Sequence, residues 1–345
     1  MRTARVLGSE SRPSNYYHVT SRILGELPFW ADADKEALRE LLHRLLAFSG
    51  LRMVTFCLMG NHLHLLLEVP TDRESLRSLS DEEFLQRLEI LYSDEVVQRV
   101  HDQLSAWRES GSVDQAEALR ERFLARMHDL PAFMRELKQR FTQYYNATYQ
   151  RSGTIWRDRY QSALVEDSEE ALRTMAAYID LNPIRAKLVA DPKDYRWSGY
   201  GEAMAGRPSA REGLTRLIQG EVGGHATEPD KAASNPSWKE IQEIYRCWLY
   251  ADGRERWDES GQFVTKPGFD ADTVEKVLAK KGALAYPILA STRLRHFSQG
   301  VAIGSKQFTE EIFVLRREFF SQRRVDGARK IPKLPGLMAM RELRG

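Results

Sequence analysis

The stretch "GNHLHLLLEV", residues 60–69, sets two histidines, His62 and His64, two positions apart and follows them with leucines. Alternate side chains of a strand share a face. Both imidazoles therefore point one way, while Leu63, Leu65, Leu67 and Val69 point the other, as a core face requires. Two strand rises put the imidazoles about 7 Å apart along the backbone, close enough to converge on one cation. A polar surface pair fits the same spacing. The stretch predicts a strand with one polar face and leaves its chemistry open.

The neighbouring segments extend the pattern. "NYYHVTSRI" (15–23) alternates and is rich in aromatic and β-branched residues, so it reads as a first strand. Residues 34–49 carry Leu38, Leu41, Leu42, Leu45 and Leu46 at helical spacing. "LRMVTFCLM" (51–59) reads as a second strand, with Gly60-Asn61 as the turn or bulge before the histidine strand. Strand, helix and hairpin in this order predict an antiparallel α+β fold.

Totals narrow the classes. A chain of 345 residues suits one large or two modest domains. Lys and Arg number 51 against 49 Asp and Glu, so the near-neutral balance hides local contrasts. Two cysteines, Cys57 and Cys247, cannot build a disulfide framework, which favours a reducing cytoplasm. No apolar run reaches the ~18 residues of a membrane span, and the start lacks an apolar signal region.

Charge divides the chain. Residues 71–130 hold eight Arg or Lys against fourteen Asp or Glu. With leucines at helical intervals and Ser80/Glu83 spaced as a capping box, they predict an acidic helical insertion. From Arg135 to Tyr160 six basic residues face two acidic ones. Pro131 suits a helix start, and "RSGTIWRDRY" (151–160) reads as a turn and strand. Arginines interleaved with aromatics suit single-stranded nucleic acid, cations taking phosphates and rings stacking on bases. A solvated helix face over a packed stripe is the plainer reading of the same residues.

Residues 168–182 predict a helix, with Ser168 as N-cap and Glu169 and Glu170 at its positive end. Thr174, Tyr178 and Asn182 share one stripe, and Pro183 predicts a kink or an end at Asn182. Residues 204–236 are rich in Gly, Ser, Pro and Ala and read as a linker. Beyond them, "LRHFSQGVAIGSKQFTEEIFVLRREFF" (294–320) reads as a helix-turn-helix, with Gly300 and Gly304 in the turn and Ser305 capping the second helix. The stretch 316–333 has seven basic residues and two acidic ones, as a duplex-reading unit requires.

A strand His-x-His pair without paired cysteines argues against a structural zinc site. Two imidazoles with an amide or water oxygen suit Mg²⁺ or Mn²⁺, which would polarise a phosphoryl oxygen. A tyrosine attacking that phosphate would retain the phosphodiester energy in a covalent phosphotyrosine. With thirteen tyrosines in the chain, spacing alone does not select one.

The blocks "NHLHLLLEV", "FMRELKQRFTQYYNATYQRSGTIWRDRYQSALVE" and "AAYIDLNPIRAKLV…YRWSGY", in this order, resemble the HUH single-tyrosine transposases, specifically the REP-associated tyrosine transposase branch (RAYT). Leu63 fills the hydrophobic place between the histidines. The resemblance covers roughly residues 13–203, interrupted by the acidic insertion. It implies a ferredoxin-like α+β domain, here 1–203 with the insertion 71–130. It also implies metal-dependent cleavage and joining of single-stranded DNA at hairpin-flanked sites. His62 and His64 match the metal pair, Tyr178 the nucleophile, and Asn182 the position of a third metal ligand.

The expectation is thus a sequence-specific single-strand DNA endonuclease and strand transferase that uses Mg²⁺ or Mn²⁺ and forms a 5′-phosphotyrosine. Arg140, Arg151, Arg157 and Arg159 are candidate phosphate contacts. Tyr144, Trp156 and Tyr160 are candidates to stack on bases or to pack, while Trp197 is expected to close the core. After the 204–236 linker, residues 237–345 are expected to form a helical, helix-turn-helix-like domain that binds duplex DNA through Arg316, Arg317, Arg323 and Arg324. The expected setting is a cytoplasmic, nucleoid-associated monomer or homodimer, not a membrane protein. The alternative is a domesticated repeat-DNA-binding protein that no longer cleaves. An RNA-binding protein is a third reading, distinguished by the 2′-hydroxyl.

Overall fold

The computed structural model describes residues 6–25, 30–219, 236–252, 297, 300–331, 334 and 336–341. The chain begins with β1 (Ser14–Arg22), α1 (Asp32–Ser49), β2 (Arg52–Leu58) and β3 (His62–Pro70), as the alternation and the leucine spacing predict. α1 buries Leu38, Leu42, Leu45 and Leu46, each contributing about 1.5–3 kcal/mol of apolar burial. It ends at Gly50, whose φ of 71° is the left-handed cap conformation that glycine adopts without penalty. The Gly60-Asn61 turn is anchored to its surroundings: Ile23 N–H donates to the Asn61 carbonyl at 3.0 Å and Trp30 N–H to the Gly60 carbonyl at 2.7 Å.

Four short helices follow: α2 (Glu74–Arg77), α3 (Asp81–Glu89), α4 (Asp94–Glu109) and α5 (Val113–Leu124). The insertion is helical, and the Ser80/Glu83 capping box forms. Most of its charges face solvent, and a few are paired, with Asp81 accepting from Arg108 at 2.9 Å and Arg120 at 2.6 Å. α6 (Leu130–Thr148) starts on Asp129 as N-cap, with Pro131 in its first turn. It packs along α1 and is joined to the insertion by the Arg126–Glu136 ion pair at 2.7 Å.

β4 (Gln161–Val165), α7 (Glu169–Asp180), α8 (Asn182–Arg185), α9 (Gly199–Met204), α10 (Pro208–Gln219) and α11 (Trp238–Asp252) complete the middle of the chain. Ser168 caps α7 as expected, and the helix ends before Asn182, where one further turn begins. Residues 151–160 are irregular apart from a single Ile23–Trp156 bridge, and the strand starts only at Gln161.

Among the described residues one seven-stranded sheet runs β2-β3-β1-β4-β5-β7-β6, where β5 is Gly300–Gly304, β6 Arg329–Lys330 and β7 Met338–Arg341. All neighbours are antiparallel except β4 and β5, which are parallel. The molecule is a mixed α+β fold.

Three expectations are corrected here. First, the helix-turn-helix reading of 294–320 fails: the supposed turn between Gly300 and Gly304 is β5, whose alternating Val301 and Ile303 are buried in the sheet. Ser305 does cap α12 (Lys306–Leu315), its Oγ accepting from Phe308 N–H at 3.1 Å. Second, residues 208–219 of the expected linker are α10, packed on β2. Gly213 comes so near that a Cβ there would lie 2.6 Å from the Met53 carbonyl oxygen. Residues 220–235 and 253–296 lie outside the described residues.

Third, the histidine face of β3 is not a solvated polar face. Thr55, opposite Leu66 in the register, donates to Asp180 of α7 at 2.8 Å. The adjacent Phe56, opposite Leu65, meets His43 of α1. Neighbouring strand residues face opposite ways, so α7 and α1 cover the two faces of the hairpin. Every residue of β3 after His62 is buried.

Candidate active site

β1 and β3 pair so that Arg22 stands opposite His62, Thr20 opposite His64 and His18 opposite Leu66. Arg22, His18, His62 and His64 thereby share one face of the sheet. α7 crosses that face and brings Tyr178 onto it. The Tyr178 ring meets His64 edge-on, centroids 5.8 Å apart at 86°, and meets His18 the same way at 5.9 Å and 82°. His62 and His64 have centroids 5.1 Å apart at 78°. The three residues expected to work together, His62, His64 and Tyr178, are thus brought together by two elements, β3 and α7.

Further groups complete the arrangement. His18 lies parallel to His64, with its Nε2 3.0 Å from His64 Nδ1, and its own Nδ1 is 3.0 Å from the Phe297 carbonyl oxygen. The Phe297 ring stacks on Tyr178 at 4.8 Å. The guanidinium of Arg185 lies 5.2 Å from the centre of the Tyr178 ring, and its Nη1 donates to the Tyr178 carbonyl at 2.7 Å. His62 Nδ1 lies 2.7 Å from Asn61 Oδ1. Asn182 is buried, and its amide nitrogen donates to the Tyr178 and Ile179 carbonyls at 3.1 Å each, closing the end of α7.

Burial sets the protonation states. It pushes His18 down to about 4, and His62 to about 4 with the help of Arg22. His64 falls well below the ordinary histidine value for the same reason, with the neighbouring imidazoles adding to it. The three rings are neutral nitrogen donors at pH 7. Burial raises the Tyr178 phenol, and Arg185 and Arg22 pull the other way by favouring the phenolate. Tyr178 is only 3% exposed. Among the described residues no group of three or more His, Cys, Asp or Glu is disposed to hold a metal ion.

The expected DNA-contacting residues separate into groups. Arg157, Arg159, Trp156 and Tyr160 line an open groove of about 750 Å³ between α6 and the 153–160 segment, together with Arg135 and Lys138. Its rim is tied to the site, since Arg157 N–H donates to the Arg22 carbonyl at 3.0 Å. Trp156 is buried there, its Nε1 donating to the Lys138 carbonyl and to Thr142 Oγ1 at 3.0 Å each. Tyr160 is buried, and Arg151 is exposed at the end of α6.

Arg140 faces elsewhere: it pairs with Glu136 at 3.0 Å and lies over Tyr92 of the insertion, while Tyr144 stacks on Phe141. In the carboxyl-terminal part, Arg316 donates to the Leu7 carbonyl, Arg317 to the carbonyls of Phe320, Ser321 and Gln322, and buried Arg324 to those of Asp326 and Gly327. Those three hold backbone in place, and Arg323 is exposed. Trp197 is buried beneath Lys35, as its core role requires.

His18, Arg22, Arg185, Asn61 and Phe297 escape the sequence reading. His18 and Arg22 do lie in phase on the first strand, and Arg185 follows Tyr178 within "YIDLNPIR". Only the β1–β3 register and the crossing of α7 bring them to the histidines.

No protein-family model matches the chain, and no curated protein matches it. Among solved structures it is similar to a REP-associated tyrosine transposase bound to a REP hairpin. The likeness has 12% identity, spans 61% of this chain and 87% of that one, and has a TM-score of 0.35. At this distance the chemistry has to be argued from the residues themselves. Among the described residues no helix is long and apolar enough to cross a membrane.

Proposed function

We propose that this chain cleaves and rejoins single-stranded DNA at hairpin-flanked sites, with Tyr178 as nucleophile. The observation that carries the reading is the meeting of Tyr178 with His64 and His18 on one sheet face beside Arg22 and Arg185. A phenol, neutral imidazoles and two guanidiniums with no carboxylate among them suit a phosphodiester anion. The phenolic oxygen bonds to phosphorus and the bond to the 3′ oxygen breaks. The phenolic proton is lost to solvent and the leaving oxygen takes one up, giving a 5′-phosphotyrosine and a free 3′-hydroxyl. Attack by a second 3′-hydroxyl reverses the step.

His62 and His64 would hold Mg²⁺ or Mn²⁺ as nitrogen donors, a set that favours Mn²⁺ of the two. Asn182 would offer its Oδ1 as a third donor, its amide nitrogen being engaged by the α7 carbonyls. When bound, the ion polarises a phosphoryl oxygen and makes phosphorus more electrophilic. Arg135, Lys138, Arg157 and Arg159 along the groove carry the flanking strand's phosphates toward Arg22.

In this reading β1–β4, with α1 and α7, form a ferredoxin-like HUH domain carrying the insertion 71–130. The strand order β2-β3-β1-β4, antiparallel throughout, supports it. The residues after 236 remain an accessory DNA-binding part. One observation favours the alternative of a repeat-DNA-binding protein that does not cleave: Tyr178 is buried under the Phe297 ring. Trapping a covalent protein–DNA adduct separates the two readings.

A further inference from the structure

The two imidazoles His64 and His18 form a short chain of hydrogen bonds, and its far end fixes its direction. The Phe297 carbonyl has no hydrogen to give, so His18 Nδ1, 3.0 Å away, donates to it. A neutral ring with its proton on Nδ1 keeps a bare lone pair on Nε2. That atom lies 3.0 Å from His64 Nδ1, which must therefore be the donor. His64 is left with its lone pair on Nε2. His62 reaches the same state by a separate route, since its Nδ1 lies 2.7 Å from the acceptor Oδ1 of Asn61.

The opposite tautomer of His64 would set two lone pairs against each other, or would turn the N–H of His18 away from Phe297 and leave that buried carbonyl without its partner. The burial of His18 and His64 keeps water from substituting. Hydrogen bonds of this kind behind a ligating histidine orient the ring and raise its basicity.

We propose that His18 is a positioning residue: backed by the Phe297 carbonyl, it holds His64 in the tautomer whose Nε2 is free to bind a cation, as Asn61 does for His62. The proposal rests on the reading of His62 and His64 as metal donors. It also gives the carboxyl-terminal part, through the Phe297 carbonyl, a hand in the chemistry of His64, 233 positions upstream.

The test is nitrogen-15 NMR of the imidazoles in the full-length, metal-free protein, with Mn²⁺ titrated separately. His64 is expected to carry its proton on Nδ1. In His18→Phe, which keeps a ring against Tyr178 but accepts no hydrogen bond, the Nε2–H tautomer of His64 is expected to appear. The Mn²⁺ dissociation constant should rise about 10–100-fold, as is typical when such supporting partners are removed. A wild-type His64 protonated on Nε2 overturns the proposal without recourse to any variant. So does a His18→Phe protein with unchanged tautomer and unchanged Mn²⁺ affinity. Wild-type protein that shows the Nδ1–H tautomer but binds no Mn²⁺ supports the hydrogen-bond chain and counts against the metal reading instead.

Discussion

The ring of Phe297 lies on that of Tyr178, centroids 4.8 Å apart and 25° from parallel, and so covers the proposed nucleophile. A strand of DNA reaches the phenol only after this ring moves. Replacing Phe297 by Ala removes the ring and leaves the carbonyl that bonds His18. The expected outcome is faster covalent labelling of Tyr178 by hairpin DNA in single-turnover assays. Slower labelling with unchanged DNA affinity would mean that Phe297 aligns the phenol instead of obstructing it.

His62 and His64 should respond differently to truncation. His62 is half-buried at the strand end, whereas His64 is buried against His18 and Tyr178. His64→Ala leaves His18 Nε2 without its partner, a loss of about 1–3 kcal/mol in addition to the lost packing. His62→Ala should change stability by well under that amount. Both should abolish Mn²⁺-dependent cleavage. Thermal melts beside cleavage assays separate the two effects, and equal melting temperatures would contradict the burial argument.

Asp180 gives a stability profile with a definite sign. It is wholly buried, accepting from Thr55 Oγ1 at 2.8 Å and Tyr245 Oη at 2.5 Å. Burial, outweighing those hydrogen bonds, raises it from 3.8 to about 7. Between these values the native state holds a proton that the unfolded chain has released. This contribution is therefore fully present below pH ~4, falls as pH rises to about 7, and is flat beyond. The span is of the order of a few kcal/mol. His18, His62 and His64, held below the ordinary histidine value, add stability as pH rises through the same window, so the Asp180 contribution is read from the difference between wild type and Asp180→Asn. The stability of wild type relative to Asp180→Asn should fall from pH 4 to 7, and a difference that stays flat or rises would refute the assignment.

How much of this the sequence discloses depends on the range of the interactions. The alternation in 15–23 and 60–69 and the leucine spacing in 34–49 are local, and they yield β1, β3 and α1 within a residue or two. Tyr178 and the histidine pair are legible because they sit in compact sequence blocks. The two glycines of "GVAIG" suggest a turn, but the alternating Val301 and Ile303 between them, buried in the sheet, are the stronger signal. His18 and Arg185 depend on strand register and helix crossing, which no local pattern encodes. The burial of the histidine face is hidden for the same reason, because α7 covers it from about a hundred residues downstream.

Arginines in the groove and arginines bound to backbone should also part company. Replacing Arg157 or Arg159 by Ala should weaken hairpin binding and lower the slope of log affinity against log salt by about 0.7 per lost phosphate contact. Arg317→Ala and Arg324→Ala should instead destabilise the fold, because each holds backbone carbonyls in place. Filter binding across a salt series, paired with melts, distinguishes them. An unchanged salt slope in the Arg157 and Arg159 variants would remove the groove from the DNA path.

The central claim is tested most directly by trapping the intermediate. Full-length protein is incubated with Mn²⁺ and hairpin DNA carrying a single-stranded flank labelled on the 3′ side of the cleavage point, then denatured and resolved by size. The account requires label that stays on the protein and is lost in Tyr178→Phe, with hairpin affinity retained. Label that persists in Tyr178→Phe, or wild-type protein that binds the hairpin and never acquires label, would contradict it.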